Sequence, residues 1–125
     1  MEMSEEQIMK LERSLDMFSG TEKWYKHPFG VLFTDGIKFL ADEAKAYWFI
    51  DLIASWQVDK KVQKESFQVW IIRVDGNKAV VTCEDGNGHV VATQNIGYTD
   101  FPLKELKVYL EDDGEHKVIL LTGEH

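Results

Sequence analysis

Apolar residues recur at helical spacing in the first half of the chain and at strand spacing in the second. Ile8, Leu11, Leu15 and Phe18 stand three or four apart, which makes one stripe on a helix. Ser4 and Gln7 form a capping box at its start, and Ser19-Gly20-Thr21 ends it. The first element is therefore a helix within residues 1–20. Residues 21–33 hold Trp24, Tyr25 and His27-Pro28. Because proline disfavours αR in the residue before it, this stretch reads as a loop with one short strand.

Thr34-Asp35-Gly36 opens the main helical region, residues 34–57, with Thr34 or Asp35 as the cap. On an unbroken helix Ile37, Leu40, Ala41, Ala44, Trp48, Asp51 and Ser55 share one face. Phe39, Ala46, Phe49, Ile53 and Trp56 share the other. A helix apolar nearly all round is a buried one, and Asp42-Glu43 offers a place for a break. Residues 58–65, with Lys60, Lys61 and Lys64, read as a connector.

From Phe67 the period falls to two. Residues 67–74, 79–84, 89–96, 106–110 and 118–121 read as strands separated by Asp75-Gly76-Asn77, Asp85-Gly86-Asn87-Gly88 and Asp112-Asp113-Gly114-Glu115, all turn sequences. Asp100 with Pro102 reads as the cap of a short helical turn. Helices first and strands afterwards predict an α+β domain spanning 1–125, with an antiparallel β-meander over 67–121 packed on one face by the N-terminal helices.

Composition narrows the function. The chain has 125 residues and a net charge of −8, enough for one core without staples. Such a charge opposes free nucleic acid and anionic lipid. One cysteine, Cys83, excludes an internal disulfide; inside a strand it reads as a buried, inert thiol. The N-terminus, Met1 to Glu6, is acidic and shows no signal-peptide core, and no apolar run reaches membrane-spanning length. The expected compartment is the cytoplasm.

Phe33-Thr34-Asp35-Gly36, Leu40-Ala41, Tyr47-Trp48, Asp51 and Ile53-Ala54-Ser55, followed by Phe67-Gln68-Val69-Trp70 and Tyr98-Thr99-Asp100-Phe101-Pro102-Leu103, resemble the ordered blocks of a family of small bacterial and phage-encoded proteins of unknown function. The resemblance runs from about Phe18 to the C-terminus. It implies no activity and no catalytic residue.

Catalytic and metal motifs are sparse. No glycine-rich phosphate loop is present. Asp85, Asn87 and His89 imitate the first positions of a calcium loop but lack its later Gly and Glu. His27, His89, His116 and His125 lack zinc-site spacing. No cofactor and no metal is expected. Gly97-Tyr98-Thr99-Asp100 offers a hydroxyl and a carboxylate, for which a cap is the simpler role.

Asp51 stands out, a carboxylate among Trp48, Phe49, Ile50, Leu52 and Ile53. A buried carboxylate needs hydrogen-bond donors. Tyr47 and Ser55 lie one turn away on either side, and Asp35 could join them only if the chain bends near Asp42. The structural role, Asp51 locking the helix to the sheet, competes with a general base or ligand anchor made of Tyr47, Asp51 and Ser55. The leading expectation is a non-enzymatic accessory or interaction protein with a protein partner, no free nucleic acid and no membrane. The alternatives are a small-molecule binder or hydrolase-like enzyme at Asp51, and an acidic mimic of nucleic acid. For the mimic, Glu84 and Asp85 would have to share a sheet end with Glu111, Asp112, Asp113 and Glu115.

Overall fold

The computed structural model describes residues 3–125. Met1 and Glu2, part of the acidic N-terminus, lie outside the described residues. Helix α1 spans Glu5–Asp16 and opens on the capping box: Ser4 and Gln7 each accept the other's backbone N–H. Strands β1 (Trp24–Lys26) and β2 (Leu32–Thr34) follow, then α2 (Asp35–Ala44), α3 (Tyr47–Trp56) and α4 (Lys60–Gln63). The remaining strands are β3 (Phe67–Asp75), β4 (Lys78–Asp85), β5 (Val90–Ile96), β6 (Glu105–Asp112) and β7 (Lys117–Leu121), with a 3-10 turn at Thr122–Glu124.

The α+β class holds, and the strands form one seven-stranded sheet in the order β1-β2-β7-β6-β3-β4-β5. The single meander expected over 67–121 is corrected. β3, β4 and β5 pair antiparallel in succession, but β6 returns to the far side of β3, and β7 pairs parallel with β2. The long β5–β6 connection makes that return, and no helix forms in it, so Asp100 caps none.

One apolar cluster joins the elements. Trp70, Ile72, Val81, Cys83, Val108, Leu110, Ile119 and Leu121 share a sheet face by register and cluster with Leu11, Leu15, Ile37, Leu40, Phe49 and Ile53 of the helices. Within this core Gln68 is fully buried. Its amide pairs reciprocally with Gln57 at 2.9 Å each way, accepts the Trp70 indole N–H at 2.9 Å and donates to Val62 O at 3.0 Å. A buried amide this well partnered fixes the position of its strand against α3 and α4.

Three local readings change. Residues 21–33 form a β1–β2 hairpin, closed at His27 and Val31 (2.7 Å) around Gly30, whose φ of 93° suits glycine. The 34–57 region breaks at Lys45, which takes the left-handed conformation (φ 52°), so the break lies beyond Asp42. The connector contains α4, capped by Asp59 through the backbone N–H groups of Lys61 and Val62.

The Thr34-Asp35-Gly36 block builds a joint. Thr34 caps α2 through Ile37 N–H and donates its hydroxyl to Glu124 at 2.7 Å. The same carboxylate accepts Leu121 N–H and Gly36 N–H, where a helix start favours negative charge. A Cβ on Gly36 would stand 2.6 Å from Glu124 Oε1, so only glycine admits this contact without a shift.

Candidate functional site

The helix break decides what becomes of Asp51. Because Lys45 and Ala46 reset the helical phase, α3 turns Asp51 away from the apolar core. Its side chain is 65% exposed, so the burial expected from an unbroken helix is corrected. Its partner is His27, just after β1, which sequence spacing did not identify. His27 is buried, and its Nε2 stands 2.6 Å from Asp51 Oδ1. The other ring nitrogen, Nδ1, accepts Phe29 N–H at 3.0 Å. This acceptance assigns the proton to Nε2, which donates to Asp51. With both nitrogens engaged, His27 has no free lone pair for general-base work.

The three groups expected to converge instead bond separately. Tyr47 donates to Asp42 at 2.5 Å, and Lys38 donates to the same carboxylate at 2.8 Å. These bonds hold the Asp42 carboxyl below its ordinary range and push the Tyr47 phenol up. Ser55 donates to Leu52 O at 2.7 Å. Asp35 accepts Glu22 and Lys23 N–H at 3.2 and 3.4 Å, tying the α1–β1 loop to α2 and not approaching Asp51. The Ser55 hydroxyl thus faces a backbone carbonyl, which cannot activate it, and the Tyr47 hydroxyl faces Asp42, away from Asp51.

What the arrangement does create is a surface. Tyr25 on β1 lies under the Lys38 ammonium, and Phe29 lies edge-on to His27. Phe29 and Tyr47 are exposed at 67% and 43%, beside the carboxylates of Asp51 and Asp42. Aromatic residues are enriched at protein–protein interfaces relative to the rest of the surface. The grooves lie elsewhere: one of about 580 Å³ is lined by Met3, Ile8, Asn77 and the Tyr98–Pro102 block, and another of about 470 Å³ runs between α1 and α2. Tyr47, Asp51 and Ser55 line neither.

The acidic turns do share one sheet end. Asp85 stands opposite Gln68, and Glu111 opposite Phe67, so the β4–β5 and β6–β7 turns flank the start of β3. Much of this charge already serves the turns. Asp85 accepts Asn87 and His89 N–H, and Asp113 accepts Glu115 and His116 N–H. Backbone donors hold both carboxyls below their ordinary range. Cys83 is buried, and burial pushes its thiol up to about 12, so it is no nucleophile at neutral pH. No helix among the described residues is long and apolar enough to cross a membrane.

Comparison with known proteins places the chain without assigning an activity. A solved structure of a protein of unknown function from Enterococcus faecalis is similar in fold: 17% identity, 74% of this chain and 87% of that chain covered, TM-score 0.55. No curated protein matches. The family model described as a family of unknown function, DUF6876, matches residues 9–125, and the chain belongs to that family.

Proposed function

We propose that this protein acts by binding another protein and carries out no reaction of its own. The observation that carries the reading is the patch between the β1–β2 hairpin and α3, where Phe29 and Tyr47 stand exposed beside Asp42 and Asp51. Its polar groups are held by one another, which pre-organises the surface. The same bonds occupy the groups that a hydrolase-like centre at Tyr47, Asp51 and Ser55 would need free. The partner surface would offer an apolar hollow for Phe29 and a cation near Asp51. The proposed setting is the cytoplasm of a bacterium, with a phage or mobile-element origin suggested by the resemblance of the sequence blocks.

The test is affinity capture from the native host with two baits, the wild type and a Phe29→Ala/Tyr47→Ala variant shown by its melting curve to be folded. The expected result is a specific protein recovered by the first and lost by the second. Equal recovery by both would overturn the patch as the binding surface. A second reading rests on the shared end of the acidic turns: a rim that mimics nucleic acid for a basic partner. Recovery that survives the aromatic variant but falls steeply with salt and with Glu111→Lys/Glu115→Lys would favour it.

A further inference from the structure

The two edges of the sheet are managed differently. β1 is three residues long, and lysines stand at Lys23 and Lys26, the usual defences of an edge. β5 spans seven residues, Val-Val-Ala-Thr-Gln-Asn-Ile. It has no charge, proline or glycine, and among the described residues its ladder partner lies on the β4 side only. Its one irregularity is a bulge where Cys83 faces Ala92 and Glu84 faces Val90, leaving Val91 as the extra residue. Residues 92–96 are therefore a regular stretch whose outer N–H and C=O groups have no strand partner among the described residues, a template for strand addition.

We propose that a second copy of this chain occupies the edge, its β5 antiparallel to the first about a two-fold axis at Gln94. Three observations select that occupant and register. The Gln94 carbonyl already accepts the Trp56 indole N–H at 2.7 Å, while its amide N–H₂ has no acceptor among the described residues. Two Gln94 amides meeting at the axis complete each other, as Gln57 and Gln68 do within the chain. The register also sets Ala92 against Ile96 and exposed Thr93 against exposed Asn95, an apolar and a polar pair suited to antiparallel neighbours. Beyond the paired stretch Val90 and Tyr98, exposed at 56% and 74%, fall opposite each other at both ends. A closed two-fold contact ends at the pair and leaves no free edge to propagate. Only one strand per copy joins, so the interface is at the small end of specific contacts and the dimer is a weak one. Each copy carries −8, so salt, which screens the repulsion between copies, strengthens association.

The test reads register as well as mass. Sedimentation of the wild type over about 10–300 μM, the range suited to a small interface, should show a monomer–dimer equilibrium favoured by added salt. Thr93→Lys/Asn95→Lys sets lysine opposite lysine twice and should weaken the dimer about tenfold or more. Thr93→Lys/Asn95→Glu sets lysine opposite glutamate and should restore it. Both side chains are exposed, so melting curves should stay near wild type. A mixture of the Thr93→Cys and Asn95→Cys variants should form a disulfide dimer faster than either alone, since only the mixture brings cysteines directly opposite; buried Cys83 stays out of the reaction. A monomer throughout the range overturns the proposal. So does a dimer that ignores the lysine pair, is not restored by the glutamate, or cross-links equally well from either variant alone.

Discussion

The β1 and β5 edges hold the same chemical groups to opposite effect. At β1 the hairpin is fastened from several sides: His27 to Asp51 on α3, Tyr25 beneath Lys38 on α2, and the preceding backbone to Asp35. At β5, among the described residues, one side-chain bond reaches a helix, from Trp56 to Gln94. An edge can be closed by shortness, charge and side-chain ties, or it can be left neutral and regular. The second arrangement leaves backbone groups for a partner to satisfy.

The largest expected effect lies in the tie of the first edge. His27→Ala removes a buried ring and strands Phe29 N–H, and should cost about 2–4 kcal/mol, combining a cavity with a lost partner. Urea unfolding measures it, and a loss under about 0.5 kcal/mol would mean that the hairpin is held by other contacts. Gly36→Ala comes next. The new methyl meets Glu124 and Leu121, and a cost of about 1–3 kcal/mol is expected for forced overpacking. Glu124→Ala is itself destabilising, since it strands Thr34 and two backbone N–H groups, but in that background Gly36→Ala should cost less than in the wild type.

Asp51→Ala is the sharper comparison with His27. The carboxylate is largely exposed, so its loss should cost under about 1 kcal/mol, less than loss of the ring it accepts from. The opposite ranking would mean that charge on α3, more than the buried imidazole, holds the hairpin.

The smallest effect concerns acid. Asp85 and Asp113 are lowered from their ordinary value of 3.8 by backbone donors. A carboxyl depressed by folding contributes stability that is present above the unfolded value and is lost as pH falls through the folded one. Melting temperature should therefore be insensitive to these groups above pH 5 or so and fall below 3.8. Asp85→Asn and Asp113→Asn should each flatten the fall in a pH series of melting curves; an unchanged slope would place the acid sensitivity elsewhere.

Much of this was legible in the chain. The Ser4–Gln7 box, the end of α3 near Gln57, the strands and their turns follow from local rules of spacing and capping. The position of β6 does not, because the turn-rich 97–104 stretch could lead either to the outer side of β5 or to the far side of β3. The site at Asp51 depends on one backbone angle. Spacing along an unbroken helix carries Asp51 into the core, and the left-handed Lys45 carries it out. His27 was hidden for another reason: it lies 24 residues from Asp51, and local pattern rules have no reach over that separation.

Backbone amide hydrogen exchange as a function of protein concentration tests the contrast of edges most directly. Exchange of residues 92–96 should slow as concentration rises through the dimer range, while residues 24–26 and the core strands β3 and β6 keep their rates. Protection of 92–96 that does not change with concentration, or rises equally at β1, would contradict the account.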